Sequence, residues 1–223
     1  MATAVVTRRD VDLRYRVRQQ ALRDVVGARL AALLVTILPD PVDQDSIVRY
    51  VNAAYPVVYG GQHAVAQNAA GYAQALAAGT TVVPRARRAV DVAGALTSSG
   101  VLVTAETRSI VAPALRVMRH VAEGATHAEA LVIGGGYAGQ LSAGSLQAAS
   151  RVGIDEGADA AGLEVEAWRS SASGDACDWC QLIAENVYDS PDKVPFHEND
   201  KCDVVPELVV SPGRGAYRGR GAT

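Results

Sequence analysis

Three cysteines and a histidine crowd into the last quarter of this chain in the order C-x2-C-x16-H-x4-C. They are Cys177, Cys180, His197 and Cys202, and no other feature of the sequence restricts the fold as tightly. A C-x2-C turn aims two thiolates at one ion, and a His and a Cys on a returning segment complete the closed tetrahedron that zinc prefers. The sixteen-residue gap suits a loop or short hairpin that comes back on itself. The spacing therefore predicts a structural zinc, one per chain, held by Cys177, Cys180, His197 and Cys202.

The same residues admit other readings. Reduced, partly buried cysteines can act as small hydrophobes. A thioredoxin-type pair needs the strand-to-helix turn of a βαβ unit, and no such repeat is visible upstream. Disulfides need an oxidising compartment. Three cysteines, and an opening MATAVVTRRDVDLRYR with charges where a leader would be apolar, count against one. A catalytic zinc would keep one position open, with Glu198 or Asp200 as base beside His197. Four protein ligands argue for a closed site, and neither H-E-x-x-H nor H-x-E…P-C-x-x-C occurs. A nucleic-acid zinc knuckle should be basic. Between Asp175 and Glu207, six Asp and three Glu face two Lys.

The rest of the chain has a different character. Of 223 residues, 49% are hydrophobic but only 5% aromatic, so the core must be built from Ala, Val and Leu, which favours close-packed helices. The net charge of −3 gives no electrostatic case for coating nucleic acid. The longest apolar run, residues 32–38, is too short to span a bilayer, and a soluble, reducing, cytoplasmic setting is expected.

Periodicity predicts a helix from Asp10 to Leu38, with Tyr15, Leu22, Val26, Leu30, Leu33 and Ile37 inward and Arg16, Arg18, Arg23 and Arg29 outward. Asp45 or Ser46 caps a second helix, which Pro56 and Gly60–Gly61 should kink or split before it continues from Gln62 to Ala78. Thr80 to Arg87 reads as a loop, and a weaker helix covers Arg88 to Leu96. Thr104 is the expected cap of a helix from Ala105 to Glu123, kinked at Pro113. His127 to Asp159 is expected to be helical with a break near Gly134–Gly136. From Leu163 to Trp168 the pattern alternates like a strand, and Cys202 to Val210 reads as a second strand interrupted by Pro206. The fold class expected is α+β: a mainly α-helical N-terminal body with long helices over 1–160, then a small zinc-stapled α+β module over 161–210. Residues 211–223 form a Gly/Arg tail, expected to be disordered, in which Arg214, Tyr217, Arg218 and Arg220 offer the one phosphate-touching element.

Two decoys need handling. Gly134, Gly136 and Gly139 match G-x-G-x-x-G, but no βαβ context precedes them, so a break between helices is the expected role. His63, His120 and His127 coexist with Ser142 and Ser145, yet no G-x-S-x-G elbow is present and a triad is defined by geometry.

Five ordered pieces of the cysteine region carry a resemblance: Trp168-Arg169, Cys177-Asp-Trp-Cys180-Gln-Leu182, Val187-Tyr188, Phe196-His197 and Cys202-Asp-Val-Val-Pro206. Together, over about 45 residues, they resemble the C-terminal region of MuF-like minor head proteins of tailed phages, especially those infecting actinobacteria. Where that family has H-x2-C-x-C, this chain has Asp200 at the first cysteine position, leaving Cys202 or an Asp200 oxygen as ligand. The resemblance implies a minor capsid protein of the virion, near the portal vertex and present in the host cytoplasm during assembly. It would act in head assembly, with a role in DNA packaging or ejection. The implied partners are portal protein and major capsid protein, with phage DNA reached through the Arg/Gly tail and no small-molecule substrate or membrane. Similar sequences also carry the label of capsid maturation protease, the alternative function, although no residue here identifies a protease centre.

Overall fold

The computed structural model describes residues 8–78, 89–104, 110–162, 165, 167–171, 177–190, 193–195 and 203–207. The described residues are mainly helical, with one small two-stranded sheet. Among them, no helix is long and apolar enough to cross a membrane.

Three long helices make the body: α1 (Arg8–Ile37), α2 (Gln44–Ala78) and α6 (His127–Ala161). Contacts fix their directions. Tyr15 and Gln19 of α1 reach Ser150 of α6, whereas Gly27 lies against Gly139, so α1 and α6 run antiparallel. Gly61 meets Leu146, and Gly157 meets Ala70, so α2 and α6 run parallel. Short helices α3 (Val92–Ser98) and α4 (Val101–Thr104) follow α2, and α5 (Val111–Ala122) packs on the first half of α6.

Alanine and glycine permit this packing. A Cβ on Gly157 would stand 2.5 Å from the Ala70 carbonyl oxygen, and one on Gly153 would strike the Ala66 backbone outright. Small residues at i and i+4 on both helices thus bring the two backbones together. The apolar core lies along this seam and includes Leu30, Leu34, Tyr50, Val58, Val65, Leu96, Val117 and Leu146.

Several expectations are corrected here. Pro56 does not split α2, which is continuous from Gln44 to Ala78. Pro56 and Asn52 are both exposed, so the backbone group that proline leaves unpaired is on the side where solvent can meet it. Gly134–Gly136 do not break α6 either. Gly134 sits against Val117 and the Pro113 carbonyl, and Gly135 against Ala31, so these glycines are contact points between helices. Asp43, not Asp45 or Ser46, caps α2, accepting from the Ser46 N–H at 2.6 Å. Ser46 itself is buried. Thr104 is the last residue of α4, residues 105–109 lie outside the described residues, and α5 starts at Val111 after Ile110. Pro113 lies in the first turn of α5, where its missing N–H costs no helical bond. Arg23 occupies the inner stripe, 6% exposed. The loop expected over Thr80–Arg87 lies outside the described residues.

Beyond α6, β1 (Ala167–Ser171) pairs antiparallel with β2 (Asp203–Glu207), and α7 (Asp178–Ala184) lies between them in the chain. β1 begins later than expected, and Leu163, Glu164 and Glu166 lie outside the described residues. Pro206 does not interrupt β2. It stands opposite Trp168, whose N–H and C=O are both turned to Tyr188 on the other side, at 2.6 and 2.7 Å. Trp168 therefore asks no N–H of its β2 partner, and proline fits there.

A second core joins this module to the bundle. Trp168, Ile183, Val194, Val204 and Val205 pack with Tyr15, Tyr72, Leu76, Ile154 and Ala158 from α1, α2 and α6. The module thus seats on one pole of the bundle, at the start of α1 and the ends of α2 and α6. The other pole carries α5.

Candidate metal centre

The C-x2-C pair opens α7. Cys177 is its N-cap residue, in extended backbone conformation (φ −65°, ψ 161°), and its carbonyl accepts from the Gln181 N–H at 3.0 Å. Almost one turn further on, Cys180 is buried, 3% exposed, while Cys177 remains at the surface. The two Sγ atoms are 3.5 Å apart. A disulfide would bring them to about 2.05 Å. Two thiolates each about 2.3 Å from one tetrahedral zinc stand about 3.8 Å apart. The observed separation lies between these two values, nearer the second.

His197 and Cys202, the other two expected ligands, lie outside the described residues, as do Phe196 and Asp200. Among the described residues no group of three or more His, Cys, Asp and Glu is arranged to hold a metal; only two of the four expected ligands fall within them. The chain leaves the described part at Pro195 and re-enters it at Asp203, which pairs with Ser171. When bound, zinc would supply a cross-link between the α7 turn and the segment that leads into β2.

The surroundings tie the pair to the bundle. Val194 is buried in the second core, and its carbonyl accepts from Arg151 Nη2 of α6 at 3.5 Å. Arg8 Nη2 of α1 donates to the Pro206 carbonyl at 3.4 Å. Three of the five motif pieces meet at one residue: Trp168 bridges Tyr188 on one side and Pro206 on the other. In contrast, Leu182 of the C-x2-C-x-L piece is 60% exposed, on the same outward face of α7 as Trp179.

The other residues singled out are dispersed. Ser145 accepts from Gln62 Nε2 at 2.8 Å and Ser142 donates to the Gly139 carbonyl at 3.0 Å, both inside the bundle. His63 tilts against Tyr59 with ring centroids 4.6 Å apart, and His120 Nδ1 stands 3.4 Å from Glu123. His127 is the first residue of α6. Arg214, Tyr217, Arg218 and Arg220 lie outside the described residues.

A buried polar row escaped the sequence reading. Tyr15 Oη and Ser150 Oγ share a hydrogen bond of 2.7 Å, and Gln19 Nε2 donates to both Ser150 Oγ and the Val65 carbonyl. Burial and a 2.7 Å bond to Asp12 push the Tyr72 hydroxyl well above its ordinary pKa. The signal was available: Gln19 stands four residues after Tyr15, on the inner stripe itself.

Compared with protein-family models, curated proteins and solved structures, the chain matches none.

Proposed function

We propose that this protein is a non-enzymatic minor head protein of the MuF-like kind, a structural component near the portal vertex of a tailed phage. One observation carries the reading: the ordered W-R, C-x2-C, V-Y, F-H and C…P pieces, of which Trp168, Tyr188 and Pro206 are neighbours in space.

In this reading the long bundle is the part that binds portal or capsid protein. The module is held on its pole by a structural zinc on Cys177, Cys180, His197 and Cys202. The Gly/Arg tail over 211–223 is the part available to phage DNA. The 3.5 Å separation of the two described sulfurs supports the metal assignment.

The test is made in particles of the phage that encodes the protein. Mass spectrometry of purified procapsids and virions should find it in both, and deleting its gene should lower infectious yield. Particles that lack the protein, together with normal infectivity after deletion, would overturn the proposal.

A further inference from the structure

The pair Cys177–Cys180 is arranged for more than ligation. α7 is the element that follows β1 in the chain, and the C-x2-C opens it. The sheet is antiparallel, which is why no βαβ repeat announced this setting in the sequence. Cys177 is exposed at the helix N-cap, and Cys180 is buried one turn in with its sulfur 3.5 Å away. An accessible thiol backed by a shielded one within reach is the arrangement of an attacking and a resolving cysteine.

We propose that Cys177 and Cys180 form a reversible dithiol–disulfide switch, and that the disulfide and the bound metal exclude each other. The oxidant class is a small-molecule disulfide such as oxidised glutathione. The Cys177 thiolate attacks one glutathione sulfur, breaking that S–S bond and releasing one glutathione thiol. Cys180, after giving its proton to solvent, attacks Cys177 Sγ in the mixed disulfide. The Cys177–Cys180 bond forms and the second glutathione leaves. Two protein thiols are oxidised and one glutathione disulfide is reduced to two thiols. Neither sulfur is then a thiolate, so two of the four zinc ligands are withdrawn together. The exclusion rests on the metal reading above; the dithiol assignment does not.

The experiment uses the full chain, stripped with chelator or loaded with zinc, in glutathione redox buffers. The samples are acid-quenched, alkylated and peptide-mapped. Metal-free protein should yield the Cys177–Cys180 bridge, as should Cys202→Ser, which removes the competing thiol. Cys180→Ser should stop at glutathione on Cys177, and Cys177→Ser should acquire glutathione on the buried Cys180 about tenfold more slowly. Zinc loading should slow bridge formation by about tenfold or more, because the thiolates are engaged. Cys177 and Cys180 remaining alkylatable in a buffer that fully oxidises a reference dithiol would overturn the proposal, as would a bridge that runs to Cys202 instead. Bridge formation at one rate with and without zinc would overturn the exclusion and the metal reading, while supporting the dithiol.

Discussion

The bundle and the module solve the same problem by opposite means. The bundle has helices of 30 and 35 residues and closes a core by repetition, with Ala and Gly letting backbones approach along a long seam. Among the described residues, the module has two five-residue strands and a seven-residue helix. Elements that short cannot enclose a core alone. Its Trp168, Ile183 and Val204 complete their packing on Tyr15, Tyr72 and Ile154 of the bundle. The lesson is that a small region on a large one needs a platform, to which the proposed zinc would add a staple, while the large region needs only a continuous seam.

The comparison breaks most visibly at the metal. Chelation, or Cys180→Ser, should lower the melting temperature of the module, which its packing on the bundle keeps folded at room temperature, while leaving most helical circular dichroism intact, because metal bound only to the folded state adds its binding free energy to folding. A melting profile indifferent to chelator would remove the staple from the argument. Next in size is Trp168→Ala, which empties the centre of the second core and should cost about 3–5 kcal/mol. Hydrogen exchange should localise that loss to the module and to the ends of α2 and α6. Loss spread evenly over the bundle would mean that the two cores are not distinct. Gly153→Val tests the bundle in return: its side chain meets the Ala66 backbone, and overpacking of about 3 kcal/mol should lower the bundle's melting temperature.

Smaller effects sharpen the picture at the far pole. Thr126 and Glu129 form a capping box at the start of α6, and the Thr126 hydroxyl, followed by its N–H, holds the Glu129 carboxyl below its ordinary pKa. That contribution is present above pH 4.5 and fades as pH falls through the lowered folded-state value. Thr126→Ala should cost about 1 kcal/mol in thermal melts at neutral pH and should flatten that acid dependence. Smallest is Tyr50→Phe. The Tyr50 hydroxyl is buried with no hydrogen-bond partner among the described residues, so its removal should raise stability by up to about 1 kcal/mol.

What the sequence revealed follows the same division. The period of α1 was plain, because a 30-residue helix repeats its stripe many times. The breaks inferred at Pro56 and Gly134–Gly136 were local propensities, and tertiary packing overrode them. Pro56 could lie on an exposed face, and the glycines were needed where α6 meets α1 and α5. The Thr126-x-x-Glu129 box is legible in the sequence, whereas the Thr104 partner position holds Thr107, which cannot reach back as a Glu would. In the module, the order of motif pieces was legible but their meeting at Trp168 was not, because pairing between residues so far apart is decided by the bundle beneath them.

The bond from Arg8 to the Pro206 carbonyl has a practical side. It places the first helix and the last strand of the described chain side by side at one pole. A tag or tether attached before residue 8 and one attached after residue 207 both leave from that pole. With α2 about 52 Å long by its residue count, the opposite tip stands well clear of either attachment. Its apolar cleft between Ile47, Val51, Leu115 and Met118 faces outward there. A molecule tethered at residue 8 or at residue 207 would therefore present the same tip to solution.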